Sequence, residues 1–311
     1  MEHKLYIQEE CDLNCNRETT IMKSEKGFED FTFRLSFVPE TKSATQGEYP
    51  MTRNPRGYAV IFNMETFYKV PGDPTSIKLE NRQGSSKDAE GLQDAFEKLR
   101  FIVDRHDDKT IADITTITDG YASRDHSSFD CFVFCILTHG SEGKLYDANG
   151  HSFQFESIFK RLHARKCSTL GGKPKLFFLQ ACQGNQSHFG HDLQADIVPL
   201  QPGSNTNFRE VNTNFLEGNS PNEADFLVFF PTRLGLPAFR DDNQGSWFIQ
   251  SLVENLKQYG ESCPLLDIFT MVIREVSCKR AGDQDGNHYD QTPKFDSSLS
   301  KTVFFRPLGA P

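Results

Sequence analysis

Apolar residues along this chain gather into short unbroken runs, and between the runs they return at helical spacing. Six segments have the length and the β-branched or aromatic content of buried strands: residues 58–62, 101–104, 131–137, 175–179, 226–230 and 302–305. Between them, Leu92, Phe96 and Leu99 mark one helix face, and Phe155, Ile158, Phe159 and Leu162 mark a second at i, i+3, i+4 and i+7. Leu265, Ile268, Phe269, Val272 and Val276 mark a third. Strands alternating with amphipathic helices predict an α/β fold, a three-layer sandwich with a mostly parallel six-stranded sheet and helices on both faces.

Two stretches break the alternation. Residues 1–48 are polar without sustained periodicity and read as a flexible N-terminal arm. Residues 185–222 are rich in Asn, Gly, Ser and Pro and run well beyond ordinary loop length, which suggests a functional or disordered connection. The glycine clusters do not complete a phosphate loop: Gly172-Lys173 is followed by Pro174, with neither the upstream glycine nor the Ser/Thr that such a loop needs.

Composition narrows the class. A net charge of -9 with no basic stripe argues against a nucleic-acid partner. No apolar stretch approaches the ~18 residues of a membrane span, and residues 1–17 are too polar for a secretory signal, so the expected location is cytoplasmic. Eight cysteines in 311 residues are too sparse for a disulfide framework. Cys11, Cys15 and His3 make a poor metal spacing, and neither a metal nor a cofactor is expected.

The chemistry concentrates where two strand runs end. Leu176-Phe177-Phe178-Leu179 leads directly into Gln180-Ala181-Cys182-Gln183-Gly184, which puts a cysteine at a strand-to-loop edge. A second run ends in Thr138-His139-Gly140. Carboxyl ends of parallel strands form the ligand crevice of open α/β sheets, so Cys182 and His139 become neighbours despite their separation along the chain. A free thiol titrates near ~8.5 and is only slightly ionised at neutral pH, and an adjacent imidazole that accepts its proton raises its reactivity. The same imidazole would reprotonate a leaving amine. Cys131 and Cys135 lie at i and i+4 on one face of a buried run and read as packing residues.

These motifs resemble the caspases, whose cysteine pentapeptide and upstream histidine the chain matches. Lys173-Pro174-Lys175-Leu176-Phe177-Phe178, Ala224-Asp225-Phe226-Leu227 and Gly245-Ser246-Trp247-Phe248-Ile249-Gln250-Ser251-Leu252 resemble caspase segments in caspase order, and the likeness runs from about residue 49 to 307. The resemblance implies a cysteine endopeptidase that cuts protein substrates after exposed aspartates, acts in apoptosis and is made as a zymogen. It divides the chain into a prodomain-like arm (1–48), a large catalytic subunit region (49–192), an inter-subunit linker (193–222) and a small subunit region (223–311). The short arm suggests an executioner-like member. An upstream activating protease would cut the linker after Asp196 or Asp192, and two large/small pairs would form a homodimer.

Aspartate selectivity needs a cationic pocket, because a buried carboxylate is costly unless charge and hydrogen bonds compensate it. By the resemblance, Arg82 and Arg240 supply the charge and Gln180 a further polar group, while Phe239 and Trp247 wall the neighbouring subsite. Gly140 and Cys182 would give the backbone N–H donors of an oxyanion hole. Leu236-Pro237 departs from the family in lacking tyrosines common in that loop. The rival reading is a catalytically silent scaffold that regulates active caspases, and the intact His139, Cys182, Arg82 and Arg240 argue against it.

Overall fold

The computed structural model describes residues 7–8, 47–141, 143–183, 194–195, 223–282 and 288–309. Eight strands and five helices carry the argument, labelled here in chain order. They are β1 (Gly57–Asn63), α1 (Ser85–Lys98), β2 (Ile102–Asp107), α2 (Ile111–Ala122), β3 (Cys131–Leu137), α3 (Phe155–Phe159), β4 (Lys175–Gln180), β5 (Phe226–Phe230), β6 (Phe239–Asp241), β7 (Gly245–Ser246), α4 (Trp247–Tyr259), α5 (Leu265–Cys278) and β8 (Lys294–Ser297). The central sheet runs β8-β5-β4-β3-β1-β2. Its first five strands in sequence are mutually parallel, and β8 closes one edge antiparallel to β5.

Both faces of the sheet are buried, which is why the central strands are nearly continuous apolar runs. Alternate residues point to opposite sides. Cys131, Val133, Cys135, Leu176, Phe178, Leu227 and Phe229 face one core with α1, α4 and α5. Phe132, Phe134, Ile136, Phe177, Leu179, Phe226 and Val228 face the other with α2 and α3. The three-layer α/β architecture expected from the sequence is thus the observed one. Phenylalanine dominates the second core: Phe159, Phe177 and Phe226 form a closed set with centroid separations of 5.3, 5.7 and 4.4 Å, spacings at which rings attract beyond their burial alone.

One expected strand is not one. Residues 302–305 are buried, but their carbonyls go elsewhere: Val303 accepts from the Leu265 N–H at 2.9 Å, at the start of α5, and Phe305 accepts from the buried Arg56 guanidinium at 3.1 Å. A single parallel bridge, Glu48 to Thr302, is all the pairing this segment makes. The sixth strand is β8 instead, Lys294-Phe295-Asp296-Ser297. Its alternating polar residues hid it from a search for apolar runs, since an edge strand has less surface to bury. Helix α2 also went unmarked, because its Ile and Thr content weakens helical propensity. Its start is fixed by a capping box in which Thr110 and Asp113 exchange side-chain and backbone hydrogen bonds.

Candidate active site at the carboxyl ends of the strands

Strands β1, β3 and β4 run parallel in one register, Asn63 against Leu137 and Leu137 against Gln180. His139 and Cys182 each follow two residues after these paired positions, so they leave adjacent strands at the same height. The Thr138 N–H bonds the Gln180 carbonyl at 2.9 Å and carries the pairing to the base of the site. Gly140 then packs directly on the cysteine: a Cβ there would lie 2.4 Å from the Cys182 carbonyl oxygen and 2.8 Å from the Ala181 Cβ. Only glycine fits that approach.

The Cys182 sulfur is buried and sits 3.1 Å from the Ala238 backbone N–H, which donates to it. The thiol in turn faces the Ala238 carbonyl oxygen, 3.7 Å away. His139 Nε2 lies 2.7 Å from the Glu80 carbonyl oxygen. A carbonyl only accepts, so this contact requires the proton on Nε2 and makes Nδ1 the basic nitrogen of the neutral ring. The Phe67 ring packs on the imidazole at 4.8 Å, and the His139 carbonyl accepts from the Tyr146 N–H at 3.1 Å. Ring and main chain are both fixed. By contrast, burial raises the thiols of Cys131 and Cys135 far above the ordinary range, which leaves them inert.

Arg82 and Arg240 come from distant segments and are both buried. Arg82 follows β1; its Nη1 donates to the Met64 carbonyl at 3.1 Å and to Ser85 Oγ at 2.6 Å. Arg240 lies on β6, and its Nη1 donates to the Gln83 carbonyl, one residue beyond Arg82, with Asp242 Oδ1 at 3.5 Å. The two guanidinium groups therefore attach to the same short loop. Gly84 in that loop has φ 84° and no room for a side chain, since a Cβ would lie 2.6 Å from the Asp241 carbonyl oxygen. Gln180 is buried as the last residue of β4. Two buried cations, one from the loop and one reaching it from β6, favour an anion nearby, and the planar fork of arginine suits a carboxylate.

Strand β6 is held by more than its hairpin. The Phe239 N–H donates to Gln291 Oε1 at 2.7 Å, and Gln291 Nε2 donates to the Pro231 carbonyl at 2.9 Å. Phe239 and Trp247 pack at 5.0 Å with their planes tilted by 43° and both rings buried. Outward of β6, the short strand Gln194–Ala195 pairs antiparallel, with Ala195 opposite Phe239 and Gln194 opposite Arg240. Asp192 and Asp196 lie outside the described residues, as do His3, Cys11 and Cys15.

Sequence reasoning located the cysteine, the histidine and both arginines but missed Glu80, Ser85, Ala238 and Gln291. Glu80 and Ala238 act through backbone atoms, which leave no mark on residue type. Among the described residues no group of three or more His, Cys, Asp or Glu side chains is placed to hold a metal ion, and no helix is long and apolar enough to cross a membrane.

The family model for the caspase domain matches residues 56–304, a span that contains His139, Cys182 and both arginines. The chain belongs to the caspase family. Among curated caspases it is 36% identical to caspase-8 of Mus musculus over 266 residues, which cover 83% of this chain and 53% of that protein. It is 31% identical to caspase-7 of Gallus gallus, with 89% of this chain and 91% of that protein covered. With caspase-3 of Mus musculus the identity is also 31%, over 93% of this chain and 98% of that protein. The chain spans about half the length of the caspase-8 proteins it matches and nearly all of caspase-3.

Proposed function

We propose that this caspase is a cysteine endopeptidase that cleaves protein substrates after aspartate in apoptosis. What supports the reading is that His139 and Cys182 follow paired positions on adjacent parallel strands, with the Ala238 N–H on the sulfur, the Glu80 carbonyl on the imidazole and two buried arginines bonded to residues 83–85. In this mechanism Nδ1 of His139 takes the thiol proton and the Cys182 thiolate attacks the scissile carbonyl carbon. The N–H groups of Gly140 and Cys182 receive the developing oxyanion. The imidazolium returns its proton to the leaving amine, and a thioester remains for water to hydrolyse. The substrate aspartate enters between Arg82 and Arg240 beside Gln180, with Phe239 and Trp247 walling the next subsite. The test is a fluorogenic tetrapeptide ending in aspartate, given to the protein after its linker has been cut: hydrolysis stopped by stoichiometric iodoacetamide supports the reading, and a cleaved protein that stays inert refutes it in favour of a silent scaffold.

The protein would act in the cytoplasm as a zymogen, with an arm at 1–48, a large subunit at 49–192, a linker at 193–222 and a small subunit at 223–311. Two such pairs would join as a homodimer along β8, which lies at the end of the sheet order. Of the two linker aspartates, the pairing of Gln194–Ala195 with β6 favours Asp196 over Asp192, because Asp196 directly follows the strand that lies against the arginine-bearing one. The expected result of intact-mass measurement after activation is a large fragment ending at Asp196. A large fragment ending elsewhere, or active enzyme that stays uncut, overturns the assignment.

A further inference from the structure

Asp88 is fully buried in the first turn of α1, the helix that follows Arg82, and it bonds the hairpin that carries Arg240. Its two oxygens accept the Ser246 N–H at 2.9 and 3.0 Å, and Oδ1 also accepts Gln250 Nε2 at 2.7 Å. Ser246 is the cross-strand partner of Arg240. On Asp88's own helix, one turn back, Ser85 Oγ accepts from Arg82 and donates to Asn63 Oδ1 at 2.6 Å. The contact with the β6–β7 hairpin is tight: Gly245 has φ 94°, and a Cβ there would lie 2.4 Å from Asp88 Oδ1. One carboxylate thus holds the hairpin that carries Arg240 against the helix start that fixes Arg82.

Burying a carboxylate is unfavourable by several kcal/mol unless something offsets it. An alanine or leucine at this position would pack the same interface without that penalty, so simple packing does not account for it. We propose that Asp88 is a positioning residue for the aspartate pocket, setting the separation of the Arg82 and Arg240 guanidinium groups through Ser246 and Gln250. The inference rests on reading those arginines as the pocket. In a processed enzyme it has added weight, because residues 82–88 and 240–250 would then belong to separate chains, joined here by noncovalent contacts alone.

Burial pushes the Asp88 carboxyl up to about 6, while the hydrogen bonds from Gln250 and Ser246 and the charge of Arg82 pull the other way. The charged groups that bear on it are Arg82 on its own segment and Arg240, Asp241 and Asp242 on the hairpin; the contact from α4 is the neutral Gln250. Both oxygens accept hydrogen bonds, so protonating either one weakens the acceptors that the Ser246 N–H and Gln250 Nε2 use. Acidification through about 6 should loosen the pocket. Stability moves the opposite way: a carboxyl whose folded pKa exceeds its unfolded value of ~3.9 makes the fold relatively more stable as pH falls through that window.

The test is steady-state kinetics on the active full-length protein with an aspartyl tetrapeptide, using Asp88→Asn and, as a milder change that keeps the buried carboxylate, Gln250→Leu. The expected result at pH 7.5 is KM raised at least tenfold for Asp88→Asn and about threefold for Gln250→Leu, with kcat within threefold of wild type. The rise of KM with acid below pH 6.5, present in wild type, should vanish in Asp88→Asn, and its melting temperature at pH 7.5 should not fall. Unchanged KM in both variants, or an acid limb that persists in Asp88→Asn, overturns the inference. Should Asp88→Asn fail to fold, the Gln250→Leu result decides alone. A wild-type enzyme that cuts aspartyl and asparaginyl peptides equally would instead sink the pocket reading itself.

Discussion

Cys182→Ala is expected to lower kcat/KM for an aspartyl peptide by at least about 10⁴-fold while leaving the melting temperature within a few degrees. Removing a nucleophile that works as a unit with its base typically costs about as much as removing the whole unit, and what remains comes from the oxyanion donors and binding. That residue of catalysis should survive here, because Gly140 and the Cys182 backbone stay in place. The stability effect should be small because the change deletes one sulfur, about the volume of a methyl group, from a site bordered by polar backbone rather than from the two hydrophobic cores. Cys135→Ala is the matched control. It removes a sulfur of equal size from the buried face of β3, where the thiol is inert, so it should cost stability and leave kcat/KM per folded molecule unchanged. Peptide hydrolysis by Cys182→Ala above one hundredth of the wild-type rate would mean that another group makes the attack.

How legible the site was in the sequence follows from how each residue does its work. Cys182 and His139, in the proposed mechanism, would act through side chains, and they sit just beyond strands of the most apolar kind, so their place was readable from the runs that precede them. The parallel register that sets them side by side is a consequence of burial on both sheet faces, and the same unbroken runs reveal it. Arg82 and Arg240 are different. Neither follows an apolar run of that strength, and in isolation each reads as a surface charge; only the family resemblance singled them out. The structure adds that both are buried and that both bond to the segment 83–85, which is unlike a surface charge. What stayed hidden acts through main-chain atoms or through polarity in unusual places. The Glu80 carbonyl that orients His139 and the Ala238 N–H that meets Cys182 would be the same with any side chain. Strand β8 escaped because it is polar at an edge, and the 302–305 run misled because it is apolar yet gives its carbonyls to Arg56 and the start of α5. Asp88 looks like a helix N-terminal acid, a common surface choice; that it is fully buried could not be seen from its neighbours.

Arg240→Lys is expected to lower kcat/KM for aspartyl peptides by about 30- to 1,000-fold and to collapse the preference for aspartate over asparagine. The substitution keeps the positive charge, so the result separates charge from geometry. A lysine ammonium is a compact point charge, whereas the guanidinium presents a rigid fork that can bond the Gln83 carbonyl and a carboxylate at once. Leaving one partner of a desolvated, hydrogen-bonded charge pair poorly matched costs about 2–4 kcal/mol, and at about 1.4 kcal/mol per factor of ten that is the range given. The asparaginyl peptide carries no charge to lose, so its slow hydrolysis should change by less than about threefold in the variant. The aspartate preference of wild type should therefore be about as large as the loss on mutation. The rate of Cys182 alkylation by iodoacetamide, a reagent with no carboxylate-directed binding, should match wild type and would show that sulfur and imidazole are undisturbed. If Arg240→Lys slows both peptides equally, Arg240 supports the hairpin rather than the substrate, and selectivity would have to come from Arg82 and Gln180. If it slows neither, the anion does not bind between these arginines at all.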